Sequence, residues 1–256
     1  MNFNEIILNM FGDGGWGLIV PRMSSDTTRS IMMLVCALLS MVSAYLLGSL
    51  NFAIILSNKE YHQDIRDFGS KNAGMTNMMR TYGKKAAALT LLGDSFKAVV
   101  AALIGYALLG ALGAYIAGLF CIIGHMFPAY YGFRGGKGVV TVATSILMCN
   151  PIVFLILITC FVLIVLATKY ISLGSVMCML LYPILLDRIT KLLTGHTSPF
   201  IVFSIMMAAL VIIKHRDNIG RLLKGTENKF AFKKSKSPES VKAKSNNEEP
   251  TADKKN

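Results

Sequence analysis

The chain has 256 residues, of which 54% are hydrophobic and 16% charged, with a formal net charge of +12. Soluble domains carry about 25% charge. Here the deficit is concentrated in nearly uncharged stretches of about 20 residues, the length a helix needs to cross a hydrocarbon core of about 30 Å. That excludes an ordinary soluble domain and points to an all-α, polytopic membrane protein. The basic excess then reads as loop charge sorted across a membrane rather than as a nucleic-acid contact.

Residues 1–30 contain Glu5, Asp13, Asp26 and several glycines, without a basic start followed by a cleavage site. They read as an interfacial or disordered extension, not a cleaved signal peptide. Seven apolar runs follow, over 31–56, 86–109, 111–130, 138–149, 151–168, 172–186 and 199–213, and predict about seven transmembrane helices. The fourth is short for a span. It is either tilted or begins at membrane depth, which is tolerated where protein shields the backbone from lipid. Cys36, Cys121, Cys149, Cys160 and Cys178 fall within or at the ends of these runs, without a CxxC pair, and read as small buried hydrophobes. Residues 228–256 are rich in Lys, Ser, Glu and Asn and predict a disordered tail. The membrane domain is therefore 31–227.

Loop charge orients the spans. Lys59, Arg66, Lys71, Arg80, Lys84 and Lys85 follow the first run. Arg134 and Lys137 follow the third, Lys169 follows the fifth, and twelve Lys and Arg residues lie from 214 onward. The alternate connections are poor in basic residues, the richest holding only Arg188 and Lys191. Lys and Arg gather on the cytoplasmic side, so the N-terminus is expected outside and the C-terminus in the cytoplasm.

The same face collects four polar clusters. "FGSKNAGMTNMMR" supplies Ser70, Asn72, Thr76, Asn77 and Arg80, a dense donor set whose arginine suits bidentate recognition of phosphate. "GFRGGKGVVT" places Gly135, Gly136, Lys137 and Gly138 at the start of the fourth run. Glycines allow close backbone approach, and a helix N-terminus favours an anion. It is not a Walker A loop, because glycine follows the lysine. "KYISLGS" holds Ser172 and Ser175, which by themselves read as helix caps. "KHRDNIGRLLKGTE" sets His215 and Asn218 three apart on one helical turn, and histidine serves as general base or phosphate ligand. His125, in "GHMFP", reads more readily as structural than catalytic. The stretch "HQDIRD" fits an H-x4-D acyltransferase pattern, but the further motifs of that class are missing downstream.

Together these stretches, with Gly48-Ser49, "DIRDFGSKNAGMTNMMR" at 64–80 and "DSFK" at 94–97, resemble the bacterial membrane glycerol-3-phosphate acyltransferases that use acyl phosphate (the PlsY family). The likeness spans about 48–227. It implies a seven-helix enzyme of the bacterial cytoplasmic membrane that moves a fatty acyl group from acyl phosphate to the 1-hydroxyl of sn-glycerol 3-phosphate, giving lysophosphatidic acid. It implies neither metal nor cofactor. The expected partners are the two substrates, membrane lipid and a soluble enzyme that makes acyl phosphate. The likeness puts Ser70, Arg80, Lys137, Ser175, His215 and Asn218 in the catalytic and phosphate-binding site, with Glu227 in support. The chain departs from the family pattern at Ala98, Val140 and Lys169. For the proton of the attacking hydroxyl, a substrate phosphate oxygen is preferred to His215, because no carboxylate is evidently placed to orient the imidazole. A carrier or flippase for a phosphorylated metabolite is the alternative, and it predicts internal repeats, whereas the clusters at 64–80, 124–141 and 215–227 are unlike one another.

Overall fold

The computed structural model describes residues 26–230. The predicted extension and tail lie almost wholly outside that range. Every regular element within it is helical: α1 Asp26–Ser49, α2 Phe52–Tyr61, α3 Met75–Tyr82, α4 Lys84–Met126, α5 Val139–Cys149, α6 Pro151–Thr168, α7 Ile171–Thr194, α8 Ile201–Lys214 and α9 Arg216–Leu223, with 3-10 turns at Ile65–Asp67 and Ala129–Tyr131. Three segments are long and apolar enough to cross a membrane, Ser30–Tyr61, Lys84–Tyr131 and Pro151–Thr168. Val139–Cys149 and Ile201–Lys214 are apolar but shorter.

The first run is not one helix. It breaks after Ser49, and Asn51 restarts the chain as α2 by accepting the Ile54 N–H at 3.2 Å. The carbonyls left open at the break are those of Gly48 and Leu50. Lys97 reaches across from α4 and donates to both, at 3.0 and 2.8 Å. Its charge is balanced by Asp94, 2.8 Å away and, like Lys97, almost wholly buried.

Helix α4 is a hairpin of two arms, as the uncharged connection at 110 predicts. Leu109 leaves helical geometry and Gly110 takes φ +59°, ψ −143°, a conformation that glycine adopts without strain. The arms fold back so closely that a Cβ on Gly105 would strike the carbonyl of Gly113 and the Ala117 side chain. Small residues allow this approach between helices in lipid. Gly105→Leu is therefore expected to splay the arms and lower the thermal midpoint of the purified protein in detergent by several degrees, read by fluorescence-detected size exclusion.

Helix α1 runs alongside the second arm. Ser40 Oγ donates to the Gly113 carbonyl at 3.3 Å, and Gly48 rests on the Cys121 backbone eight residues further along. The larger core joins the second arm with α5 to α8 through Tyr115, Ile122, Val142, Ile146, Leu157, Tyr182 and Val211. Loop 127–138, the α6–α7 junction and the region after α8 meet at one end of the helices. Lys214 Nζ donates to the Met126 carbonyl at 3.2 Å, and the Phe230 N–H to the Lys169 carbonyl at 2.6 Å.

Candidate active site

At that end, side chains from α7, α9, the α8–α9 junction and two loops converge. Lys137 follows the glycine pair and donates to Asn218 Oδ1 in α9. The Asn218 amide donates in turn to Glu227 Oε1 at 2.6 Å. Glu227 also accepts from Ser172 Oγ at 2.9 Å and from Arg221 Nε at 2.7 Å. Burial works against the charge of Glu227, but the hydrogen bonds from Asn218, Arg221 and Ser172 outweigh it and hold its pKa below the usual carboxylate range. The carboxylate thus ties three chain segments together. Arg221 is a member of this network that the sequence reading passed over, although it sits inside the quoted 215–227 motif.

Lys137 is short of compensation. Burial first, then the nearby Arg221 and Arg80 cations, bring its pKa down to about 8 against the opposing Glu227 and Asp217. Arg80 is exposed, closes α3 and forms no ion pair among the described residues. Lys137, Arg80 and Arg221 against the carboxylates of Glu227 and Asp217 leave positive charge for an anion to neutralise.

His215 lies between α8 and α9 and is only 3% exposed. Its Nδ1 lies 2.8 Å from the Val211 carbonyl, which fixes the tautomer with hydrogen on Nδ1 and leaves Nε2 as an acceptor. Burial, assisted by Lys137, lowers its pKa to about 4. His215 is therefore neutral and a weak base at physiological pH.

The glycine loop works differently from the expectation. The Gly135 N–H donates to the Met126 carbonyl at 3.2 Å and the Gly136 N–H to the His125 carbonyl at 3.1 Å. Both are spent on closing the end of the second arm, so neither cradles a phosphate. Gly136 has glycine's small volume for a reason: a Cβ there would strike His125 Nε2 and the Ala73 carbonyl. Gly138 takes φ +74° and starts α5. The first N–H groups of that helix, beyond Lys137, are the donors a helix leaves open, and its dipole adds to the lysine charge. His125 is buried and bonded through Nδ1 to Lys97 at 2.9 Å, in keeping with the structural role that was favoured for it.

Two further expectations change. Asn77 donates from its amide to the carbonyls of Ile65 and Phe68, at 3.1 and 2.9 Å, and accepts the Ser70 N–H at 2.9 Å. Both of its donors are used, so it shapes the 65–70 loop instead of binding phosphate, and leaves Ser70 exposed, with Asn72 partly exposed. Ser172 and Ser175 do not cap α7, whose N-cap Tyr170 has no side-chain cap bond. Ser172 reaches Glu227, while Ser175 Oγ donates to the Ile171 carbonyl at 3.0 Å and lines a cavity. The "HQDIRD" stretch has a structural task. Arg66 pairs with Asp64 at 2.6 Å and donates to the Tyr131 and Arg134 carbonyls at 2.7 and 3.0 Å, pinning the Ser70 loop to the glycine loop.

A cavity opens at the start of α5, two residues beyond Lys137. It has a volume of about 410 Å³, and its wall is almost wholly apolar. Met75, Val139 and Val140 line it near the cations, and Ser175, Leu147, Phe154 and Phe161 are among its other walls. An anion site beside an apolar cavity, in a membrane-embedded helical bundle, defines a multi-pass membrane protein built for an amphiphile with a charged head.

The chain belongs to the glycerol-3-phosphate acyltransferase family, whose model matches residues 38–225, and its activity is that of the family, acyl transfer to glycerol 3-phosphate. It is 40% identical to the glycerol-3-phosphate acyltransferase of Finegoldia magna over 74% of this chain and 93% of that one. It is 42% identical to the one of Clostridioides difficile over 75% and 95%. Among solved structures it resembles PlsY (YgiH), an integral membrane glycerol 3-phosphate acyltransferase in its glycerol 3-phosphate form, with a TM-score of 0.69 and 34% identity over 76% of this chain and 96% of that one. The lysophosphatidic acid form of PlsY gives a TM-score of 0.67 and 32% identity, over 77% and 96%.

Proposed function

We propose that the acyl donor is an acyl phosphate and that the acyl group passes to the 1-hydroxyl of sn-glycerol 3-phosphate, giving lysophosphatidic acid. The catalytic unit is 31–227, with seven spans, the N-terminus outside, and the active face on the cytoplasmic side of the bacterial inner membrane. Basic connections gathered at one end of the bundle support that orientation. One observation carries the reading of the substrates: Arg80 and Arg221 lie close enough to Lys137 to lower its pKa, and Lys137 stands two residues before Val139, which opens α5 and lines the apolar cavity. That arrangement suits two phosphate groups beside one fatty chain.

In the reaction, the 1-hydroxyl oxygen attacks the acyl carbonyl carbon. The bond from that carbon to the phosphate oxygen breaks with its electron pair leaving on phosphate, and the hydroxyl proton passes to a phosphate oxygen. Lys137, Arg80 and the first N–H groups of α5 neutralise the phosphates. Asn218 and Glu227 hold Lys137 in place, with Ser172 and Arg221 fixing the carboxylate. Ser70 and Asn72 bind glycerol 3-phosphate at the rim, and Ser175 meets the acyl head at the cavity wall. His215 accepts a hydrogen bond through Nε2 and orients the hydroxyl without taking its proton, since its pKa of about 4 makes it a poor base. Holding acceptor and donor in line can supply roughly 7–11 kcal/mol of the barrier.

The direct test incubates the purified protein in lipid nanodiscs with palmitoyl phosphate and labelled glycerol 3-phosphate. Labelled lysophosphatidic acid is expected. Product from palmitoyl-CoA or palmitoyl-acyl carrier protein but none from palmitoyl phosphate would overturn the choice of donor. If the reading holds, kcat/KM falls as pH rises through about 8, where the free enzyme loses the Lys137 proton. An acid limb near pH 6 belongs to substrate phosphate, whose second pKa is about 6, and it is expected unchanged in His215→Gln. Loss of that limb in the variant, with KM kept, would make His215 the base.

A further inference from the structure

Helix α5 has only 11 residues, so at 1.5 Å per residue it spans about 16 Å, roughly half of a hydrocarbon core. It ends at a buried turn. Asn150 is 2% exposed and accepts the Val153 N–H at 3.2 Å, starting α6 back toward the active face. Depth in the cavity can be read along these two helices. Val139 and Val140 stand beside the cations, and Leu147 is two turns deeper. On α6, which runs the other way, Phe154 lies deeper than Phe161. Leu147 and Phe154 are thus the cavity-lining residues on either side of the Asn150 turn. Beyond that turn the bundle is closed. Tyr115, Tyr182 and Leu186 are each 3% exposed or less and share the cluster that contains Ile146 and Val153, and Tyr115 stacks on Phe200 at 4.4 Å between ring centroids.

We infer that Leu147 and Phe154 form the floor of the acyl cavity and set the longest chain the enzyme accepts. The inference rests on the proposed reading of the cavity as the acyl site. Leu91 and Ile158 line the cavity and are 40 and 37% exposed on the outside of the bundle, and Leu147, 39% exposed, is the outer edge of the floor. A lipid donor enters there from the side. Once its carbonyl is held beside Lys137, its methyl end points at the Asn150 turn and meets Phe154. An almost wholly apolar wall grips the chain without selecting its length, because each methylene gains similar burial energy. A closed end does select, because a chain that is too long must bend or displace packed side chains. The short fourth run, puzzling as a span, is the feature that creates this end.

The test compares lauroyl, palmitoyl and arachidoyl phosphate as donors for the parent protein, Phe154→Ala, Phe154→Leu and Leu147→Trp in nanodiscs, each checked for a monodisperse elution profile. In Phe154→Ala the ratio of kcat/KM for arachidoyl over palmitoyl phosphate is expected to rise at least tenfold, with a smaller rise in Phe154→Leu. In Leu147→Trp palmitoyl transfer should drop at least tenfold while lauroyl transfer is kept. Unchanged chain-length ratios in the active variants would overturn the inference and mean that the chain end leaves sideways into lipid. Phe154→Leu decides the matter if the alanine variant does not fold. If the parent uses none of the three acyl phosphates, the donor reading itself has failed, a result distinct from unchanged ratios.

Discussion

Lys137→Ala is expected to lower kcat/KM for acyl transfer by about a thousandfold, at the upper end of what one preorganised electrostatic donor supplies, while the protein stays folded. Its ammonium is the cation that stands directly before the first turn of α5, where helix dipole and full charge act on the same anion. It is also held at a cost. Burial and the neighbouring Arg221 already bring its pKa down to about 8, so removing it relieves a strain on the free protein instead of leaving a buried partner stranded. Asn218 loses one donor but keeps its bond to Glu227. Labelled lysophosphatidic acid formation in nanodiscs, beside a thermal midpoint within a few degrees of the parent, checks both halves. Lys137→Arg should recover only part of the activity, because the planar guanidinium cannot reproduce a compact ammonium at the end of that side chain. A variant that unfolds would overturn the stability half, and one that stays folded and within tenfold of the parent would remove Lys137 from the chemistry.

Lys97→Met should behave in the opposite way, as a large loss of stability without any contact with substrate. Lys97 and Asp94 form an ion pair with both side chains 1% exposed. Lys97 also closes the break after α1 by donating to Gly48 and Leu50, and it bonds His125. Removing one partner of a buried pair costs about 3–5 kcal/mol, because the remaining charge has no solvent to turn to. Here it would strand the Asp94 carboxylate and two carbonyls at once. The expected result is a strongly lowered thermal midpoint and little monodisperse protein in detergent. Lys97→Met combined with Asp94→Leu, which removes both charges, should recover part of the loss. Without that recovery the ion pair would not be the cause. His125 carries the effect toward the active site, since its carbonyl holds the Gly136 N–H. The double variant is therefore expected to fold and yet transfer acyl groups slowly.

Sequence by itself determined a good deal about this protein. The bilayer imposes a single length scale and forbids unpaired backbone, so uncharged runs of about 20 residues could be read as helices, and the turn at 110 was legible from local chemistry alone. Charge sorting brought the four polar clusters to one face, and Lys137, Asn218, Ser172 and Glu227 do meet there. Each of these inferences rests on a property that one segment carries within itself.

Only the tertiary structure decided the roles that depend on a distant partner. Gly135 and Gly136 were candidates for a phosphate cradle, yet their N–H groups go to the end of α4. Asn77 was a candidate donor to phosphate, yet it folds the loop that presents Ser70. Ser172 read as a helix cap and instead anchors Glu227, 55 residues away. Arg221 gained its part only once Glu227 lay beside it. The first apolar run broke at Asn51 because Lys97, on another helix, could satisfy the carbonyls that the break leaves open. A polar atom is satisfied by whichever group lies within about 3 Å, and the choice among partners tens of residues apart belongs to the packed bundle. The same holds for the cavity, whose closed end is made by α5, α6 and the aromatic core packing against one another.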